Sequence, residues 1–232
     1  MMKEKLRKSI GGFTALSLIT VLAALSTYSF YAELNISAFL SCFAALFMLP
    51  GFFTLEPNEA VALTLFGRYV GSIKKSGFHW VSPFLIKKKV SLRLRNHHGE
   101  KIKVNDADGN PIEISIVLIW KVLDSAKALF DVDQVEEFVN SQSESALRQM
   151  TSLYPYDRAQ DEQSSSKKPS LRGSRGAVNK QLLSELKERL ERAGVYILEA
   201  RINHLAYSPE IAQVMLRRQA ANAILDARKK IV

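Results

Sequence analysis

Residues 10–55 read IGGFTALSLITVLAALSTYSFYAELNISAFLSCFAALFMLPGFFTL, two apolar runs back to back, Ile10 to Ala32 and Leu34 to Leu55. Glu33 is the charged side chain between them, and Pro50-Gly51 interrupts the second run near its end. Each run is close to the ~20 residues a helix needs to cross the hydrocarbon core of a bilayer. Inside hydrocarbon every backbone N–H and C=O needs an internal partner, which a helix supplies, so two runs this close predict a helical hairpin. Lys3, Lys5, Arg7 and Lys8 precede the first run, whereas the connector has no Lys or Arg. By the positive-inside rule the N-terminus is expected in the cytoplasm, and with two full spans so is all that follows residue 55. Two other readings stay open. The basic start and first run could be a cleaved signal peptide, against which stand the length of the run and the second run directly behind it. The second run could instead dip in and turn back at Pro50-Gly51, which would place the soluble part on the opposite face.

The chain has 232 residues and a formal net charge of +9. With residues 10–55 in the membrane, the rest suits one domain or two small ones plus a C-terminal helix. The basic excess lies partly before the first run and partly at Lys87, Lys88 and Lys89, near where the chain leaves the bilayer. Basic residues there are drawn to anionic head groups. No nucleic-acid recognition motif accompanies the charge, so nucleic acid is not expected as a partner. The single cysteine, Cys42, lies in an apolar run, which leaves no intramolecular disulfide and reads as a small apolar helix residue.

Beyond a turn at Glu56-Pro57-Asn58-Glu59, the segments Ala60 to Phe66 and Tyr69 to Ile73 predict strands, followed by an aromatic strand or loop over Gly77 to Phe84. Alternation at Val90, Leu92 and Leu94 predicts a half-buried strand. Lys101 to Val104 and Ile112 to Val122 form a predicted hairpin across the turn chemistry of residues 105–110. Asp124-Ser125 caps a short helix through Phe130, and a longer helix runs from about Asp133 to Met150 with Val135, Phe138, Val139, Ser143, Ala146 and Met150 on one face. Residues 157–176, rich in Ser, Lys, Asp and Gly, predict an exposed loop. A helix from Val178 to Ala193 carries Leu182, Leu183, Leu186 and Leu190 and stops at Gly194, and a strand follows from Val195 to His204. Ser208-Pro209-Glu210 starts a last helix. Ile211, Val214 or Met215, Ala221 and Ile224 or Leu225 approximate a heptad rhythm in it, and with no cap before Val232 the sequence reads as stopping inside a longer coiled-coil-type helix. The organisation expected is thus a basic cytoplasmic tail (1–9), a transmembrane hairpin (10–55), an α+β domain (56–208) and the start of a long helix (209–232).

The segments Pro57-Asn58-Glu59-Ala60, Leu65-Phe66-Gly67-Arg68-Tyr69, Ser76-Gly77-Phe78-His79-Trp80 and Ser82-Pro83-Phe84 come in a telling order. Behind them stand Asp106 to Pro111, Trp120-Lys121-Val122-Leu123-Asp124, Ser145-Ala146-Leu147-Arg148, Gly194-Val195 and Pro209-Glu210-Ile211. In this order and spacing the chain from Glu56 to Val232 resembles the SPFH or band 7 superfamily, which includes stomatins, prohibitins and flotillins. Two features depart from the simplest family pattern, the second full apolar run and the polar loop 157–176.

A reaction centre is not legible. His97 and His98 are neighbours on a predicted strand and so point to opposite faces, while His79 and His204 stand apart from them. Asp106, Asp108 and Asn110 resemble a calcium loop superficially, but the glycine comes too early and the closing bidentate acid is missing. Serines 164, 165, 166, 170 and 174 have no partner histidine, and no phosphate-cradling glycine loop is present. Neither enzyme activity, metal nor cofactor is expected. Rings with nearby lysines suit a head-group interface, so Phe78, Trp80, Phe84, Lys87, Lys88 and Lys89 are the candidate membrane-contact residues, with Phe78 and Trp80 equally open to a core role. Ile211, Met215, Ile224 and Leu225 are the candidate self-association residues. The resemblance implies a membrane scaffold in the plasma or inner membrane that assembles with its own copies, organises microdomains and regulates membrane proteins such as proteases. The alternative is a monomeric or dimeric adaptor dedicated to one membrane protease or transporter.

Overall fold

The computed structural model describes residues 4–32, 35–157 and 169–231. They divide into two compact units, the first taking in the chain through Arg93 with Val122–Val135 and Arg192–Gly194, the second Leu94–Lys121, Glu136–Glu191 and Val195 onward.

The first unit comprises β1 (Ile10–Gly11), α1 (Gly12–Tyr31), α2 (Asn35–Met48), a 3-10 turn (Leu49–Gly51), β2 (Phe52–Leu55), β3 (Glu59–Leu65), β4 (Arg68–Ile73), β5 (Gly77–Trp80), β6 (Leu85–Ser91) and α3 (Ser125–Phe130). Its strands make two antiparallel sheets, ordered β4-β3-β6 and β1-β5-β2. Ala60, Val61, Ala62 and Leu63 of β3 are all fully buried, so this strand is covered on both faces rather than one. Val61 and Leu63 pack with Leu55, Ile73, Val81 and Leu85 into the core of the unit, each such side chain contributing ~1.5–3 kcal/mol when fully buried. The Asp124 carboxylate accepts from the N–H groups of Ala126 and Lys127, both at 3.0 Å, and caps α3 as its sequence predicts.

Two departures from the sequence reading concern the membrane segment. The second apolar run is helical only over Asn35–Met48, and its last four residues are β2, paired residue for residue with β5. Pro50 lacks the N–H that would continue the helix, and Phe52 to Leu55 satisfy their backbone in a ladder instead. The basic start of the chain is not a free tail. Arg7 N–H donates to the Ser72 carbonyl at 2.9 Å, Ser72 N–H donates to the Lys5 carbonyl at 2.8 Å, and Ile10 pairs with Trp80.

The second unit holds β7 (Arg95–His98), β8 (Ile102–Asn105), β9 (Pro111–Val122), β10 (Val195–Tyr207), α4 (Val135–Leu153), α5 (Arg175–Glu191) and α6 (Pro209–Ile231). The sheet runs β10-β9-β7, with β8 also on β9. Along β9, Ile112, Ile114, Ile116, Leu118 and Trp120 are buried, the period of two expected of a strand with one face in the core. Val178, Leu182, Leu186 and Leu190 make the buried stripe of α5, which packs on β10. Val139, Ser143, Ala146 and Met150 do the same for α4. The strand expected through Leu94 ends at Ser91, and Leu94 is exposed. The loop expected exposed over 157–176 is partly built in. Leu171 and Ser170 are fully buried, and Leu171 and Arg172 donate their N–H groups to the carbonyls of Pro155 and Tyr156 at 2.9 and 3.0 Å. Residues 158–168, with serines 164 to 166, lie outside the described residues.

Gly194 has φ +67°, and its carbonyl accepts from the N–H groups of Leu123 and Asp124. A Cβ there would stand 2.6 Å from the Asp124 carbonyl oxygen. Gly194→Ala should therefore cost about 1–3 kcal/mol, whereas Gly176→Ala, in α5 with open space around it, should add about 0.5–1 kcal/mol. Opposite shifts in the melting temperature of the detergent-solubilised protein check the pair.

Candidate membrane interface

A helix of a soluble protein turns its apolar side chains inward, and α1 does the reverse. Phe13, Leu18, Val21, Leu25 and Phe30 are all exposed. At 1.5 Å per residue its 20 residues match the ~30 Å of a hydrocarbon core, and α1 is the described helix long and apolar enough to cross a membrane. The second apolar helix, Asn35–Gly51 with its 3-10 turn, is shorter. Several hydroxyls of both helices find partners within the protein. Thr14, Ser17, Thr20 and Thr27 donate to carbonyls three residues back in their own chain. Ser26 donates across to the Ala38 carbonyl at 3.0 Å, where α1 and α2 pack together. Such self-satisfaction is what an apolar solvent demands.

Ile10, entering α1, and Phe52, leaving α2, pair with the same residue, Trp80, from opposite sides. Trp80 is half-buried and its indole Nε1–H donates to the Met48 carbonyl at 2.9 Å, closing the C-terminal end of α2. Phe78 stacks on Phe52 with ring centroids 5.3 Å apart and meets the edge of Phe13 at 5.6 Å. Lys87 and Lys89 donate their ammonium groups to the carbonyls of Pro50 and Thr54 at 2.7 and 3.0 Å. Burial lowers the Lys87 pKa, and its ammonium also lies over the Phe53 ring. Lys88 lies over Phe130. Phe84 stands apart from this packed base. It is 56 % exposed and touches Phe47 and Phe66, with ring centroids at 5.4 and 6.3 Å.

Phe66, 85 % exposed, is the residue sequence reasoning missed. It occupies the two-residue turn between β3 and β4 with φ +46°, followed by Gly67 at +82°, the sign pattern of a tight hairpin turn. A bulky residue in the left-handed region costs ~1–2 kcal/mol, a conformation that functional sites tend to hold. The turn presents the Phe66 ring outward beside Phe84 and Phe47. The available signal was a phenylalanine directly before Gly67-Arg68, where a polar turn residue would be ordinary.

Of the candidate self-association residues, Ile211 and Met215 are half-buried on α6 and Ile224 is 57 % exposed. The Leu225 side chain lies outside the described residues. Val214 and Leu216 are each 64 % exposed. The start of α6 is tied down by Lys103, whose ammonium lies 2.7 Å from the Glu210 carboxylate.

A model of the SPFH domain / Band 7 family matches residues 53–231. The chain belongs to the SPFH / Band 7 family. SPFH proteins are in general membrane-associated, non-enzymatic scaffolds, and they typically oligomerise. No curated protein matches the chain. The match begins at Phe53, within β2 and three residues ahead of Glu56.

Of the remaining polar groups of this SPFH protein, Asp106 and His79 are internally occupied, whereas His97 Nε2 is buried without a hydrogen-bond partner among the described residues. Asp106, 5 % exposed rather than solvated, accepts from the N–H groups of Asp108, Asn110 and Tyr156 and from the Asn110 amide. These donors tie the Asp106 carboxylate into its own turn and to the chain at Tyr156. His79 bonds Ser9 Oγ at 2.8 Å through Nδ1 and the Lys75 carbonyl at 2.7 Å through Nε2. His97 and His98 alternate between half-buried and exposed along β7, as adjacent strand residues do. Among the described residues no group of three or more His, Cys, Asp or Glu could hold a metal ion.

Two outcomes follow from this geometry. In a Trp120→Phe background, lipids brominated near the head group should quench Trp80 in proteoliposomes, and Phe66→Asp with Phe84→Asp should reduce that quenching at least about twofold by raising the strands away from the apolar layer. The second concerns Lys103 and Glu210. The hydrogen bond to Lys103 lowers the Glu210 pKa, and the hydrogen bond to Glu210 raises that of Lys103. The Glu210 contribution is therefore present above the ordinary carboxylate range and lost as pH falls through its lowered value; the Lys103 contribution is lost only as pH rises through its raised one. Protection of the amides in the first turn of α6, corrected for the intrinsic pH dependence of exchange, should be level through neutral pH and fall only below the ordinary carboxylate range, and Glu210→Gln should abolish that acid step.

Proposed function

We propose that this SPFH protein is a non-enzymatic integral membrane scaffold that self-associates into large assemblies, organising membrane microdomains and regulating membrane proteins such as proteases. The observation that carries the reading is a family domain hung from an apolar helical hairpin while α6 leaves Val214, Leu216 and Ile224 exposed on more than one side of the helix. Exposed apolar residues along a helix favour a partner that covers them. Anchoring confines the domains to a plane and raises their effective concentration, so weak lateral contacts suffice. In this reading the domain of residues 56–208 rests with Phe84, Phe66 and Lys88 toward the cytoplasmic leaflet, the N-terminus lies on the same face, and α6 mates with neighbouring copies through Ile211, Met215, Ile224 and Leu225.

The test is the mass of the complex after mild detergent extraction, by light scattering on the intact chain, a chain cut before Pro209, and Ile224→Glu with Leu225→Glu. A large assembly should fall to monomers or dimers in both altered forms. A monomer or dimer in all three would point to the dedicated adaptor instead, and an assembly unaffected by the charges would remove α6 as its seam.

A further inference from the structure

Residues 4–11 lie along two strand edges at once. Leu6 forms a parallel bridge to Ser72 on the outer edge of β4, and Ile10 and Gly11 pair with Trp80 and His79 on the edge of β5 opposite β2. The segment passes so close over Gly71 that a Cβ there would stand 3.0 Å from both the Lys5 carbonyl oxygen and Arg7 Cβ. Ser9 adds its bond to His79.

The segment is latched by a chain of hydroxyls. The Lys5 N–H donates to Tyr69 Oη at 3.3 Å, and Tyr69 Oη and Ser72 Oγ share a bond at 2.8 Å. The Ser125 hydroxyl faces two acceptors, Ser72 Oγ at 2.8 Å and Glu4 Oε1 at 2.6 Å. The chain begins at Lys5 and ends at its neighbour Glu4, and Ser72 and Ser125 are fully buried. Lys74, 2.6 Å from Glu4 Oε2, neutralises the carboxylate, which also accepts the Ser125 N–H at 3.2 Å. Linked hydrogen bonds in a low-dielectric setting reinforce one another.

An uncovered strand edge is a template for pairing with another chain. We propose that residues 4–11 are a latched guard strand that keeps the edges of β4 and β5 from pairing with those of a second copy of this protein, and that opening the latch at Glu4 exposes them. The second copy is the competing occupant because the edge groups are main-chain donors and acceptors, and two β4 edges related by a two-fold axis present the same groups to each other.

The experiment uses the full chain in detergent micelles with Cys42→Ala and a nitroxide label on Lys75→Cys, an exposed residue just beyond β4. Hydrogen exchange is read at the Arg7 and Ser72 amides and dimers are counted from dipolar coupling between the labels of two antiparallel β4 edges, with and without Glu4→Lys, which sets a cation against Lys74. Gly71→Ala, which crowds the segment from below, is the second opening variant. Expected are slow amides and little dimer in the parent. Either variant should give exchange at least about tenfold faster and severalfold more dimer, at unchanged circular dichroism. Fast amides in the parent, slow amides in both variants, or faster exchange with no added dimer would overturn the proposal.

Discussion

Trp80 is flanked by Ile10 on one side and Phe52 on the other, and most of the first unit depends on that arrangement. Strand neighbours lie ~4.8 Å apart, so the chain that enters the apolar hairpin and the chain that leaves it are fixed about 10 Å from each other on one sheet. The indole then reaches the last turn of α2 through Met48. Helix, turn and sheet share a rigid joint at this residue, and the hairpin and the strands at its base are one piece rather than an anchor and a tethered head.

The lysines at this joint show how charge can serve the main chain. Lys87 and Lys89 donate hydrogen bonds to main-chain carbonyls left open by the irregular turn and β2. They are structural donors first, which is why a basic run in the sequence translates only partly into a basic surface. Lys88, on the opposite face of β6, is left with its charge over the rim of Phe130.

Local rules made much of the fold legible. The leucine period of α5, the alternation of β9, the aspartate cap on α3 and Ser208-Pro209 ahead of α6 each depend on residues within a turn or two of one another, and each is found where the sequence puts it. What escaped depends on distant partners. Nothing around Lys5 or Arg7 announces Ser72, which lies more than sixty positions away, so a strand looked like a tail. Phe52 to Leu55 are apolar enough for either a helix or a buried strand, and only β5 decides between them. In the candidate interface the lysine and aromatic types were readable, but the outward setting of Phe66 follows from a positive φ that no composition reveals. Leu171 likewise sits in a stretch of polar composition yet is fully buried, because the carbonyls of Pro155 and Tyr156 draw its backbone in.

The two legs of the hairpin differ in length, 20 residues in α1 against 14 in α2, or roughly 30 Å against 21 Å at 1.5 Å per residue. Three residues of chain separate the far ends of the legs, and both are tied at Trp80, so the shorter leg is completed by the Leu49–Gly51 turn rather than by helix. The carbonyls of Met48 and Pro50, which a longer helix would have occupied, are met by Trp80 and Lys87 from β5 and β6. One leg is thus regular on its own and the other borrows its last donors, which makes the completion of α2 conditional on the strands below it.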